Sequence, residues 1–137
     1  MTFFKRTDKE RVYVIKIVLP DDTVIHKIGM TNSPRSADRM MEILRSWFMS
    51  YRFVPYTELR LDMECRDAYK LEQYIHKILD KNRFEPDLKV DGGTEMFADI
   101  NELRVVQFLK AYGNSSFVDP PKLSESEFST INRLLTQ

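Results

Sequence analysis

The 137-residue chain contains one cysteine, Cys65, and two histidines. A single cysteine excludes an intramolecular disulfide and is typical of a reducing compartment, so we expect an intracellular, cytoplasmic protein. So few cysteines and histidines argue against a structural zinc site. No apolar run approaches the ~20 residues that span a bilayer, and residues 1–6 have no apolar signal-peptide block. We therefore expect no membrane partner.

Net charge is also absent, because 21 Lys and Arg residues balance 21 Asp and Glu residues. This balance excludes attraction of the whole molecule to nucleic acid. The distribution is less even, since residues 1–60 hold 11 basic and 7 acidic side chains and residues 61–110 hold 8 and 11. The first half could supply a basic face for a phosphate backbone or simply a mixed solvated surface, and the sequence leaves both open.

The chain is rich enough in apolar residues, at 42%, to build one domain with its own core. Residues 11–19 are β-branched and predict a strand, which a turn at residues 20–23 joins to a returning strand at residues 24–29. Gly29 would allow a bend or the close approach of another group. The two strands predict a hairpin.

Helical spacing of apolar residues predicts four helices around a third strand within residues 51–61. The predicted order is strand, strand, helix, strand and three helices, which is an α+β fold with a small antiparallel sheet flanked by helices. We expect residues 1–113 to form one domain. Residues 114–137 should form a linker and a C-terminal helix, packed on this domain or on a partner subunit. The predicted helices begin at the Ser33-Pro34 cap and run to about residue 50, then span residues 66–82, residues 102–112 after Asn101, and a final helix opened by the Ser124–Glu127 capping-box pattern.

Several polar residues have the side chains that phosphodiester cleavage requires. That reaction needs an activated water, neutralisation of the phosphate charge and stabilisation of the leaving oxygen. The planar fork of Arg39 could hold two phosphate oxygens, and Arg35 lies one helical turn earlier. Glu72 lies between apolar neighbours, where a carboxylate needs a partner such as a metal ion or an arginine. His76 follows Glu72 by one helical turn.

In their order these motifs resemble the GIY-YIG nuclease superfamily over residues 11–100. Val12-Tyr13 keeps the tyrosine of the first family tripeptide, and Lys27-Ile28-Gly29 keeps the Ile-Gly of the second. Lysine in place of tyrosine resembles the phage-type subgroup with the pattern K-I-G-x-T, which Thr31 completes. The resemblance implies a GIY-YIG-like domain that cuts DNA with one Mg²⁺ or Mn²⁺ ion, encoded by a phage or mobile element in a bacterial host.

The resemblance also implies roles for individual residues. Tyr13 would be the general base, Arg39 would contact the scissile phosphate and Glu72 would bind the metal. His76 would donate to the phosphate or the leaving group, or hydrogen-bond Glu72. Further expected members of the site are Lys27 as a catalytic or phosphate-holding cation, Arg35, Gly29 and Thr31 on the substrate side, and Glu95, from a late G-x-E-x-F element, as a residue that orders the site.

Each of these residues also has a structural explanation, such as a core tyrosine for Tyr13 or an exposed strand lysine for Lys27. A second hypothesis is therefore a catalytically silent GIY-YIG-like module that binds DNA or another protein. Lys27 and the neutral charge favour it. The chain has little room for a separate DNA-binding module, so specificity would come from its own loops, a homodimer or a partner.

Overall fold

The computed structural model describes residues 10–113 and 121–137, and the predicted linker lies largely outside them, as does the N-terminal segment. The fold is α+β, as predicted, with four strands and four α-helices in the described residues. The described residues also contain two short 3₁₀ turns, at Asp80–Asn82 and Gly93–Glu95. In chain order the elements are β1 Arg11–Val18, β2 Val24–Thr31, α1 Ser36–Tyr51, β3 Tyr56–Glu64, α2 Ala68–Ile78, β4 Met96–Ala98, α3 Glu102–Gly113 and α4 Glu125–Thr136.

The four strands form one antiparallel sheet in the order β3-β1-β2-β4. The predicted hairpin is present, with Tyr13 directly opposite Gly29. Strand β4 was not predicted, because an alternating pattern cannot be recognised over three residues of which Met96 and Phe97 are both buried. It pairs with only part of β2, from Ile25 to Lys27, and this short pairing positions the site described below.

Helices cover both faces of the sheet, so the strands are buried on both sides. Alternate residues of β1 point to opposite faces. Val12 and Val14 join the core under α2, α3 and α4, whereas Tyr13, Ile15 and Ile17 join the core under α1. This double burial explains why β1 is apolar along nearly its whole length.

Helix α1 starts later than predicted, since Ser33 and Pro34 lie outside it and Arg35 occupies the cap position without a capping hydrogen bond from its side chain. The start is set by tertiary structure, because Ser36 is fully buried and its Oγ donates to Asp62 Oδ1 at 2.6 Å. Helix α2 is shorter than predicted at both ends. It begins after Asp67, whose φ of 49° is left-handed.

The capping box predicted for the last helix is present. Glu127 N–H donates to Ser124 Oγ at 3.2 Å, and Ser124 N–H donates to Glu127 Oε1 at 2.8 Å. Helix α4 packs on α2 and α3, with Leu135 buried in the core and Asn132 Nδ2 donating to the carbonyl of Ile78 at 2.9 Å. Helix α4 therefore packs on the domain of its own chain.

Across residues 10–113 and 121–137, no helix has the length and apolar character needed to cross a membrane.

Candidate metal and phosphate site

The site forms at the edge of β2, beyond the point where β4 ends. Pairing of β4 with β2 reaches Lys27, and the next outward-facing backbone groups of β2 meet side chains of α2 instead. The carbonyl of Ile28 accepts from His76 Nε2 at 2.7 Å, and the N–H of Met30 donates to Glu72. The shortness of β4 thus leaves strand edge to which α2 brings a histidine and a carboxylate.

His76 is neutral and its tautomer is fixed by this contact. Burial, with a smaller contribution from the positive charges of Lys27 and Arg83, lowers the pKa of His76 to about 4, and the hydrogen bond to Ile28 only partly opposes this. Because a carbonyl only accepts, Nε2 must carry the proton, which leaves the Nδ1 lone pair free. His76 therefore offers one nitrogen ligand.

Glu72, His76 and Glu95 together form a candidate metal-ligand set. One ligand atom from each lies within 4.8 Å of the other two. Burial raises the pKa of Glu72, opposed by a hydrogen bond of 2.9 Å from Gln73 Nε2 and by the charge of Lys27. Two carboxylates and an imidazole fit a divalent ion that accepts both oxygen and nitrogen, which suits Mn²⁺ better than Mg²⁺.

Lys27 is a fully buried cation beside this set. Its Nζ donates to Glu95 and lies 5.7 Å from the centroid of the Tyr13 ring. Burial lowers the pKa of Lys27 to about 7, helped by the positive charge of Arg39. Gly92 makes room for the lysine: its φ is 71°, and a Cβ there would lie 2.4 Å from Lys27 Cε.

Tyr13 is only 1% exposed and lies across the strand pair from Gly29. A Cβ on residue 29 would lie 2.5 Å from Tyr13 Oη, so glycine is needed for the close approach that the sequence allowed. Burial raises the pKa of Tyr13 to about 12, although the charge of Arg39 and its hydrogen bond to Tyr13 act in the opposite direction. The hydroxyl is therefore protonated at neutral pH.

Arg39 lies between Tyr13 and a loop carboxylate. Its Nη1 and Nη2 donate to the two oxygens of Asp91 at 2.5 and 3.1 Å, and Nη1 also donates to Glu42 at 3.0 Å. The hydrogen bonds that Arg39 donates to Asp91 raise the pKa of Arg39, and the same contact lowers the pKa of Asp91. Arg39 is thus fixed in a bidentate carboxylate contact, the geometry that also suits a phosphate.

Hydrogen bonds along one face of α1 anchor the segment that carries Asp91. The N–H of Asp91 donates to Ser46 Oγ at 2.6 Å, and the N–H of Leu88 donates to Tyr51 Oη at 2.6 Å. Ser50 Oγ donates to the carbonyl of Lys89, also at 2.6 Å. The loop between α2 and β4 is therefore held against the helix that carries Arg39.

Most of the residues predicted from sequence come together here, and two do not. Arg35 is 73% exposed and bonds Asp38 at 2.7 Å, and Thr31 Oγ1 accepts from the N–H of Ser33. The contacts and charges above link Tyr13, Lys27, Gly29, Arg39, Glu72, His76 and Glu95.

Sequence reasoning missed Asp91, Gly92 and Gln73. The sequence contains a Gly92-Gly93 pair, which is typical of a loop, but nothing in it places a buried lysine against that pair. Asp91 is one of several loop carboxylates, and only the fold brings it to Arg39.

Comparison with known proteins corrects the family assignment. A family model described as T5orf172 domain matches residues 10–112, whereas searches of curated proteins and of solved structures each gave no significant match. The predicted membership of the GIY-YIG nuclease superfamily is wrong, since the matching family is a different one. The two GIY-YIG-like tripeptides in this sequence are short. Packing explains the glycine of the second, because Gly29 leaves space for the Tyr13 side chain. Because the match covers most of the chain, this protein belongs to the T5orf172 domain family.

Proposed function

We propose that the chain is a metal-dependent endonuclease that hydrolyses phosphodiester bonds of DNA. The observation that carries this proposal is the meeting of an arginine fork, a tyrosine hydroxyl and a metal-ligand set drawn from separate segments of the chain. Burying ionisable groups costs stability, and such groups are concentrated at functional sites. A chain that needed only a core would fill these positions with apolar residues at lower cost.

Glu72, Glu95 and His76 Nδ1 would hold a divalent cation, Mn²⁺ or Mg²⁺. When bound, the ion would supply positive charge that neutralises the phosphate and stabilises the leaving oxygen. The Glu95 carboxylate would then have two partners, the cation and Lys27, which already donates a hydrogen bond to it. Lys27 would keep that carboxylate oriented and add a point charge near the phosphate.

Arg39 would bind the scissile phosphate through its guanidinium. Its Nη atoms are oriented by Asp91 and Glu42, so the side chain is held in place before a substrate arrives. Such preorganisation reduces the reorganisation required in the transition state.

Tyr13 would take the proton of the attacking water. Its pKa of about 12 opposes that role in the cation-free protein, and the negative charge of Glu72 is one of the causes. Neutralising Glu72 removes that contribution, and Arg39 already favours the phenolate. The basicity of Tyr13 is thereby linked to occupation of the ligand set.

The second candidate function is a catalytically silent module that binds DNA or a protein. The observation in its favour is that carboxylates already occupy both central cations, Asp91 on Arg39 and Glu95 on Lys27. A self-neutralised network of this kind could serve the fold alone.

Nicking of supercoiled plasmid DNA separates the two candidates. We expect the purified protein to relax the plasmid with Mn²⁺ or Mg²⁺ and to be inactive in EDTA. Glu72→Gln should abolish relaxation and metal binding, measured by calorimetry, and keep the melting temperature, because the amide keeps the shape and carries no buried charge. The matched control is Glu64→Gln, which makes the same change at a side chain that is 61% exposed.

Two results would reject the endonuclease proposal. The first is absence of plasmid cleavage with either cation in a folded protein. The second is cleavage by Glu72→Gln at the parent rate, since the proposed metal site cannot work without its buried carboxylate.

A further inference from the structure

A groove between α2 and α4 runs beside the candidate site. It has a volume of about 750 Å³ and is lined by Lys77, Lys81 and Arg83 on one side and by Phe128 of α4 on the other. None of these four residues was singled out by the sequence as part of a site.

The groove opens onto the ligand set. His76 and Gln73 both line it; His76 is one of the three ligands, and Gln73 donates to Glu72 at 2.9 Å. Arg83 lines the groove and also a second cavity, formed by the loop that carries Asp91. The groove therefore shares His76 with the ligand set and lies directly beside it.

The groove is locally basic in a molecule without net charge. Its acids are Asp80, which bonds Arg83 at 2.7 Å, and Glu125. In the part of the chain that the structure describes, no carboxylate pairs with Lys77 or Lys81. Lys77 Nζ instead lies 5.0 Å from the centroid of the Phe128 ring. Two ammonium groups are therefore available to an anionic ligand.

We propose that this groove binds one strand of nucleic acid, with phosphates on Lys77 and Lys81 and a base against Phe128. The inference rests on the proposed endonuclease function, and it identifies where the substrate strand leaves the site. A base can stack on an aromatic ring only where it is not already enclosed in a base-paired stack, so the groove suits a single strand and not a duplex. Ammonium groups beside an aromatic ring are the combination that grips single strands without reading their sequence.

Binding of fluorescein-labelled oligodeoxythymidine, followed by anisotropy in EDTA, tests the groove without catalysis. We expect Lys77→Gln combined with Lys81→Gln to weaken binding about tenfold. Each lost phosphate contact should lower the slope of log K against log salt by about 0.7, so the double variant should lose about 1.4. Lys110→Gln, at an exposed lysine of α3 that does not line the groove, should leave affinity and slope unchanged.

Two further variants keep the test sharp. Glu125→Gln removes a groove acid and should tighten binding. Lys81→Gln alone has no ring contact to lose, so it separates phosphate binding from any loss of packing at Phe128. The proposal is overturned if the double variant keeps the salt slope of the parent. It is also overturned if the parent binds a duplex more tightly than the single strand and the double variant shows the same loss of slope with the duplex.

Hydrolysis of bis(p-nitrophenyl) phosphate, which is too short to reach from the ligand set along the groove, separates this inference from the proposed function. If the parent hydrolyses it with Mn²⁺ and the double variant still binds the strand normally, the groove proposal falls and the endonuclease proposal stands. If the parent does not hydrolyse it but the double variant loses strand binding, the groove proposal stands and the catalytic one falls.

Discussion

Three of the most deeply buried polar side chains, those of Lys27, Glu72 and His76, lie at one place in this protein. Each has a partner that limits the cost of burial: Glu95 for the lysine, Gln73 for the glutamate and the carbonyl of Ile28 for the histidine. These partners do not remove the cost entirely, because burial still shifts the pKa of each group toward its neutral form. The chain thus holds a set of groups whose charges respond strongly to a nearby cation or anion.

The variant Tyr13→Phe tests whether Tyr13 is the general base. If Tyr13 accepts the proton of water, the loss in kcat should be about 10²–10⁴-fold, with little change in KM. The melting temperature should change little because the ring keeps its packing. Plasmid cleavage measured against substrate concentration gives both constants, and Tyr56→Phe, at a tyrosine that is 62% exposed, is the control. A variant that loses only affinity would show that Tyr13 orients Arg39 and does not act as the base.

Asp91→Asn tests whether the loop carboxylate positions Arg39. Hydrogen bonds to charged groups contribute about 1.5–3 kcal/mol, so loss of the charged pairing predicts a fall in kcat of about ten- to a hundredfold. Steady-state cleavage kinetics would measure it, with Asp87→Asn on the same loop as the control. A rise in kcat together with a lower KM would instead mean that Asp91 competes with the substrate phosphate for Arg39.

At the scale of elements, the length of β4 decides where the site can be. A longer β4 would pair with β2 past Lys27 and use the backbone groups that Glu72 and His76 now contact. Helix α1 contributes from the other side, because its serines and Tyr51 hold the loop that presents Asp91 to Arg39. The site is therefore made by the ends and edges of elements, and the cores under the two sheet faces support it.

Helix α4 contributes stability through one buried leucine. Leu135 is 4% exposed and Leu134 is 54% exposed, so the two form a matched pair. Leu135→Ala should lower the free energy of unfolding by about 2–5 kcal/mol, measured by urea titration, and Leu134→Ala should change it little.

Deleting residues 120–137 should lower the melting temperature, because the truncation removes the whole of α4. A truncated chain that melts as before but changes from dimer to monomer would show that α4 works between subunits.

For the molecule as a whole, the absence of net charge means that binding of the proposed DNA substrate would have to come from local groups. The groove lysines and Arg39 are such groups. Binding should therefore be modest and strongly salt-dependent.

The stability of the whole molecule should fall as the pH drops below about 6.5, in part through His26. Burial lowers the pKa of His26, and Glu102, which contacts its Nε2 at 2.9 Å, only partly opposes this. Below 6.5, its ordinary pKa, the unfolded chain binds a proton that the folded protein does not, so unfolding is favoured. Urea titrations between pH 7.5 and about 5 would show a steep loss for the parent, because both histidines have lowered pKa values. His26→Gln should reduce the slope, and an unchanged slope would contradict the assignment.

Local sequence patterns were enough to predict the strands of the hairpin, the third strand, the four helices and the capping box of α4. These depend on local properties, namely β-branched runs, helical spacing of apolar residues and a Ser-x-x-Glu cap, which are present before the chain folds. Residue type and helical spacing also pointed to Arg39, Glu72 and His76, which now lie in the site. Tyr13, Lys27 and Glu95 were named only through the resemblance to a superfamily that the family comparison does not support.

Long-range packing sets which of those residues meet. The end of β4, the docking of the loop on α1 and the approach of Tyr13 to Gly29 all join segments distant in sequence, and no local pattern encodes such contacts. For the same reason Asp91 and Gly92 were missed and Arg35 was included, although its side chain lies in solvent. Charge and burial are properties of the assembled fold, so the pKa shifts that give the site its chemistry follow from folding and not from residue type.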